Sequence, residues 1–132
     1  RLAAGRFVGC WDQFVPDKTK LDQRPVPLVR DPGECMVSIV RGWPGTFRIR
    51  AVHRVQGHES EHVWEGEAAV DRQQHNRALV AWEYTKSAAG PDAGVYYLFF
   101  HDNRTLFMYP AVPALPGDNP RYVLRRKSCC PR

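Results

Sequence analysis

The sequence predicts an all-β fold, an eight-stranded antiparallel up-and-down barrel. Turn signals at short intervals separate runs rich in Val, Ile, Phe, Tyr and Trp, as strands require. The clearest runs alternate apolar and polar residues with a period of two. No convincing helical period intervenes between them. Short strands joined by hairpins must cover their edges or close on themselves. Eight strands make a barrel just wide enough to hold one small ligand. A two-sheet sandwich fits the same strand count and stands as the alternative.

The first expected strand runs from Gly5 to Val15. A long loop follows from Pro16 to Glu34, punctuated by Pro16, Pro25, Pro27 and Pro32. Met36 to Arg41 is the second strand, and Gly42-Trp43-Pro44-Gly45 is a tight turn. Thr46 to Gln56 alternates, with Phe47, Ile49 and Ala51 facing one way and Arg48 and Arg50 the other. After a polar turn at Gly57 to Ser60, His62, Trp64, Gly66, Ala68 and Val70 share an inward face, with Glu65 and Glu67 outside. Asp71 to Asn76 turns the chain again. Ala78, Val80, Trp82 and Tyr84 then alternate with Glu83 and Thr85. Gly94 to His101 is apolar on both faces, Asp102-Asn103-Arg104 is a hairpin tip, and Thr105 to Tyr109 returns. Pro110 to Pro120 is a second Pro-rich loop before the last strand, Arg121 to Lys127. No repeat, low-complexity tract or boundary divides the chain, so residues 1–132 are expected to form one domain.

Bulk properties narrow the class. Hydrophobic residues make up 43% and charged residues 25%, which suits neither a disordered nor a membrane-spanning chain. No apolar run approaches the ~20 residues that cross a bilayer as a helix. The first residues carry no signal peptide and read as the start of a mature or trimmed chain. The net charge of +5 can attract anionic polymers or membranes, although solubility alone is the plainer reading. The dense basic cluster is Arg121, Arg125, Arg126 and Lys127.

The cysteines are Cys10, Cys35, Cys129 and Cys130, without the C-x-x-C spacing of a zinc or redox motif. Their even number and wide separation predict two disulfides in an oxidising compartment. A bridge between the adjacent Cys129 and Cys130 would be strained. Both are therefore expected to reach back, one to Cys10 and one to Cys35. Asn103-Arg104-Thr105 is an N-glycosylation sequon, which fits a secreted glycoprotein.

Phe7-Val8-Gly9-Cys10-Trp11 on the first strand resembles the lipocalin signature, a G-x-W whose Trp plugs the closed end of the barrel. The long loop after that strand is similar to the lipocalin loop that lids the open end. Asp92-Ala93-Gly94-Val95-Tyr96 resembles a degraded form of the family's T-D-Y-x-x-Y motif, matching at Asp92 and Tyr96 only. The resemblance implies structural roles for Gly9 and Trp11. It also implies a basic residue of the last strand packed across Trp11, for which Arg121 and Arg125 are the candidates. Two departures stand out: the chain is shorter than most lipocalins, and it stops soon after the eighth strand, where they carry a helix.

His58-Glu59-Ser60-Glu61-His62 spells the H-E-x-x-H of zinc proteases, but that chemistry needs a helix to bring both imidazoles to one metal. In an extended segment the two histidines lie roughly 13 Å apart. No metal site, cofactor or nucleophile elbow is expected, and no enzyme activity. The aromatic residues Phe47, Trp64, Trp82, Tyr84 and Tyr97 carry the functional expectation. In a closed barrel they would line a cavity for a small hydrophobic molecule; equally, they could simply fill the core. Arg48, Arg50 and Arg54 read as a solvated face rather than a nucleic-acid patch. The expected function is thus a secreted, lipocalin-like carrier of a small hydrophobic ligand. The alternative is a secreted interaction module, an inhibitor or immune modulator that binds another protein through its loops. A third reading is a binder of anionic polymers.

Overall fold

A computed structural model describes residues 2–30, 37–54, 61–87, 90–111 and 120–128. A single helical turn, α1 (Leu2–Gly5), precedes strands β1 (Gly9–Pro16), β2 (Leu28–Arg30), β3 (Val37–Arg41), β4 (Thr46–Arg54) and β5 (Glu61–Val70). Strands β6 (Arg77–Lys86), β7 (Ala93–Asp102), β8 (Thr105–Pro110) and β9 (Tyr122–Lys127) complete the chain. From β3 to β9 each strand pairs antiparallel with the next, and β1 closes the ring by pairing with both β3 and β9. The result is the expected closed eight-stranded antiparallel barrel, with β2 as one extra strand. Among the described residues, no helix is long and apolar enough to cross a membrane.

Two elements differ from expectation. The chain at Gly5 to Val8 is not yet strand: α1 ends at Gly5, and Phe7 and Val8 donate backbone N–H groups to Ala4 and Gly5. A four-residue turn is too short to show a helical period in sequence. The long loop also contains β2, which pairs with the last residues of β1, Phe14 to Pro16, beyond the point where β1 leaves β3.

Alternation sets the core. Ile39, Ile49 and Val80 face the interior, as do Leu98, Met108 and Leu124, all essentially inaccessible to water. On β4 and β5, Arg48, Arg50, Glu65 and Glu67 project outward in register, with Arg50 opposite Glu65 and Arg48 opposite Glu67. A register shift between Val63 and Trp64 lets both bury.

The two ends of the barrel differ in how the chain is connected. At one end lie the tight turns 42–45 and 103–104 and the turn 71–76. At the other end the chain leaves β1, β4, β6 and β8. Phe7 and Trp11, both wholly buried, plug the tight-turn end. The Phe7 ring stacks at 4.8 Å on Phe47 and sits 4.7 Å from Phe100, and Trp11 lies 6.2 Å from Phe100. The Trp11 indole N–H donates to the Phe7 carbonyl at 3.0 Å, which answers its one polar group.

The cation over Trp11 is Arg126, 4.2 Å from the ring centroid, and neither Arg121 nor Arg125. Register explains the correction: Trp11 pairs with Arg126 across β1 and β9, whereas Arg125 pairs with Asp12 and lies over Phe14. Arg126 also donates to the Val8 and Arg6 carbonyls at 3.0 and 2.6 Å. Gly9 makes room for it. Its φ of 144° is unfavourable for other residues, and a Cβ there would sit 3.1 Å from Arg126 Nη1.

Candidate functional site

The open end gathers aromatic side chains from four strands. Trp64 comes from β5, Trp82 and Tyr84 from β6, Tyr96 from β7 and Tyr122 from β9. Trp64 and Tyr84 are direct cross-strand partners, so alternation alone places them on one face. Trp82 lies between two glycines, opposite Gly66 on one side and Gly94 on the other. A Cβ on Gly94 would come within 2.9 Å of the Trp82 Nε1. Glycine at this position therefore lets the indole lie across β7, where it stacks on Tyr96 at 5.4 Å and 11°. Trp64 meets Trp82 at 6.2 Å and Tyr96 at 6.1 Å, and Tyr122 meets Tyr96 edge-on at 6.1 Å. Trp64 and Tyr96 are buried, while Trp82, Tyr84 and Tyr122 are half-buried.

Polar groups converge on the same rings. Arg121, just before β9, hydrogen-bonds Tyr122, which is itself hydrogen-bonded to Tyr96. Burial first, then the neighbouring Tyr122, pushes the Tyr96 hydroxyl far above its ordinary pKa of 10.0. Burial likewise raises Tyr84, with Tyr122 and Asp92 adding to the effect. The Arg121 guanidinium is pushed up by its bond to Tyr122 and by Tyr96 beside it. At neutral pH these groups are therefore hydrogen-bond donors rather than bases. The Trp82 Nε1 is buried, without a hydrogen-bond acceptor among the described residues. At the rim, His62 Nδ1 lies 3.1 Å from Ser87 Oγ, and its ring is 6.0 Å from Tyr84.

Three of the five aromatic residues expected to line a ligand site, Trp64, Trp82 and Tyr84, meet here. Phe47 does not: it begins β4 at the closed end and packs into the plug. Tyr97 points outward, 37% exposed, beside Leu79 and Tyr109. The inward residue is its neighbour Tyr96. Because β7 is apolar on both faces, its alternation does not say which face is which. The sequence reading also missed Tyr122, and it assigned Arg121 to the wrong end. Tyr122 was legible in principle, since it shares parity with the inward Leu124.

The other expected sites fall elsewhere. Asn103 is exposed at the turn between β7 and β8, where its Oδ1 accepts from Arg6 at 3.4 Å. Cys10 is buried on β1. Cys35, Cys129 and Cys130 lie outside the described residues, as do His58 and Glu59. His62 lies in β5, an extended strand. Among the described residues, no group of three His, Cys, Asp or Glu side chains could hold a metal ion.

On the outside of the barrel, a groove of about 740 Å³ crosses β3 to β7, with Arg48 and Arg50 on one side and Glu65, Glu67 and Glu83 on the other. Arg50 Nε bonds Glu65 at 3.1 Å across it. Further round, Tyr97, Phe99, Phe107 and Tyr109 cluster on the outer wall with Leu79 and Val95.

The fold and this arrangement define a closed antiparallel β-barrel with one plugged end and one aromatic end. Compared with family models, with curated proteins and with solved structures, the chain matches none.

Proposed function

We propose that this is a secreted lipocalin-like protein that carries or sequesters a small hydrophobic molecule at the open end of its barrel. One observation carries the reading: Trp64, Trp82, Tyr84, Tyr96 and Tyr122 gather at the end of the barrel opposite the Phe7 and Trp11 plug. Rings with half-exposed rims offer apolar surface to a ligand at about 25 cal/mol per Å² buried, before the costs of association. Arg121 and the tyrosine hydroxyls would orient a polar group of that ligand. Binding rather than catalysis is part of this reading, because hydroxyls with raised pKa values are poor general bases. G-x-W at the plug and Arg126 across Trp11 support the lipocalin comparison.

The test is a tryptophan-fluorescence titration with fatty acids, retinoids and other small apolar compounds, in the wild type and in Trp82→Ala. Saturable quenching that weakens in the variant supports the carrier. No binding across a broad panel sinks it.

Secretion rests on the cysteines. Cys10 pairs with Lys127 across β1 and β9, and Lys127 stands two positions before Cys129 in sequence. Non-reducing peptide mapping is expected to find Cys10 and Cys35 each linked to one of Cys129 and Cys130. Two or more free thiols would overturn both the pairing and the secreted assignment.

A second reading is a protein-binding module that uses the outer wall of the barrel rather than its loops. The outer wall exposes Leu79, Val95 and Tyr97 next to Phe99, Phe107 and Tyr109, an apolar patch of the kind found at interaction surfaces. If the fluorescence panel fails, Tyr97→Ser should abolish binding to the partner while leaving the fold intact.

A further inference from the structure

The closed end carries a cluster of arginines without ion-pair partners among the described residues. Arg6 lies over Phe100 and Arg126 over Trp11, each with its guanidinium carbon 4.2 Å from the ring centroid. The two cations are therefore seated on the aromatic plug itself. Arg41 reaches the same end, its Nη2 against Gly5. Arg104 occupies the turn between β7 and β8, and its backbone carbonyl accepts from the Arg126 amide at 2.9 Å.

The ion pairs among the described residues are Asp12 with Arg30 and Lys127, Glu65 with Arg50, and Asp71 with Arg77, and none of them includes Arg6, Arg41, Arg104, Arg125 or Arg126. Asp102, beside the cluster, accepts the Arg104 amide at 2.8 Å within its own turn and also bonds Thr105. Consistent with this, burial, and then Arg104 and Arg6 beside it, makes the Arg126 guanidinium easier to deprotonate than an ordinary one. Asp102, Asn103, Arg104, Thr105, Arg125 and Arg126 surround a concavity of about 540 Å³.

We propose that this concavity is a binding site for a phosphate or sulfate group, held by Arg104 and Arg126 with Arg6 and Arg125 at its edges. The chemistry is specific in kind. Guanidinium groups present planar forks of N–H donors that match the oxygens of a tetrahedral oxyanion. Arg126 is fixed over Trp11 and on two backbone carbonyls, and Arg6 is seated over Phe100, so less side-chain entropy is lost when an anion arrives. The Asn103 amide borders the same concavity and adds a neutral donor. The site is at the opposite end from the aromatic cluster and does not depend on the ligand-carrier reading.

Isothermal titration at low salt tests it with three probes: inorganic phosphate, a heparin-derived hexasaccharide, and phosphatidylcholine vesicles carrying phosphatidylinositol 4-phosphate. These separate the free ion, a sulfated polymer and a lipid headgroup as the source of the oxyanion. Arg104→Gln is the informative variant, because no hydrogen bond or ion pair holds its guanidinium among the described residues. Arg48→Gln, on the outer wall, removes the same charge away from the site. At least one probe is expected to bind saturably at one site per chain, about tenfold more weakly in Arg104→Gln and unchanged in Arg48→Gln. Circular dichroism checks that both variants keep the fold. Failure of all three probes, or equal weakening by Arg48→Gln, would overturn the site.

Discussion

The two ends of the barrel are built from the same residue types and do opposite things. At the closed end, Phe7, Trp11 and Phe47 are wholly buried, and the one polar group of Trp11 is answered by the Phe7 carbonyl. At the open end, Trp82, Tyr84 and Tyr122 keep exposed rims, and the Trp82 N–H has no acceptor among the described residues. The difference lies in the connections. Tight turns hold neighbouring strands together at one end, and α1 folds Phe7 in beneath them. Aromatic content alone thus does not mark a site; satisfied polar groups and full burial separate a plug from a binding surface.

The largest expected contrast is in stability. Trp11→Ala should cost about 3–5 kcal/mol, because it empties a wholly buried position and leaves Arg126 without its ring. Trp82→Ala, at a half-buried position, should cost about 1–2 kcal/mol and act mainly on ligand affinity. Denaturant unfolding of both variants measures this, and equal losses would erase the distinction between the ends.

Glycine substitutions sharpen the same contrast. Gly9→Ala forces a strained φ of 144° beneath Arg126 and should destabilise by about 1–3 kcal/mol. Gly94→Ala has no such backbone strain, but its Cβ would displace the Trp82 indole from 2.9 Å. Its main effect should therefore be weaker ligand binding, read by the fluorescence titration, with a smaller shift in unfolding midpoint.

The ends should also respond to opposite extremes of pH. Asp71, in a closed-end turn, bonds Arg77 and the amides of Gln73 and Gln74, which hold its pKa at about 2 instead of 3.8. A depressed folded pKa gives stability that is present above pH 3.8 and lost as the pH falls towards 2. Asp71→Asn should flatten the acid limb of the stability curve. Tyr96 is raised by burial, so its contribution is present below its ordinary value of 10.0 and declines as the pH climbs beyond it. Tyr96→Phe should flatten the alkaline limb and leave the acid limb unchanged. Unfolding midpoints across pH check both, and they are the smallest of these effects.

The barrel was legible because β4, β5 and β6 alternate cleanly, each with charged residues marking the outside. The aromatic cluster was only partly legible. Trp64, Trp82 and Tyr84 sit on those clean strands, but β7 carries rings on both faces, and Tyr97 was read inward where Tyr96 belongs. The partner of Trp11 was missed for a related reason. Arg125 and Arg126 are adjacent, and only the β1–β9 register, with Trp11 opposite Arg126, decides between them. The strand β2 and the turn α1 are too short to impose a period and exist through contacts with β1 and the plug. Phe47 shows the remaining gap: an inward aromatic residue belongs to the plug or to the site according to its height in the barrel, which one strand's pattern does not reveal.

The most direct measurement is a ¹H–¹⁵N spectrum of the tryptophan indole groups during titration with an apolar ligand found in the fluorescence panel. The four indoles divide between the ends, with Trp64 and Trp82 in the aromatic cluster, Trp11 in the plug and Trp43 exposed on a closed-end turn. An open-end site predicts that the Trp64 and Trp82 resonances shift together and saturate, while those of Trp11 and Trp43 stay in place. Shifts confined to Trp11 or Trp43, or spread equally over all the indoles, would contradict it.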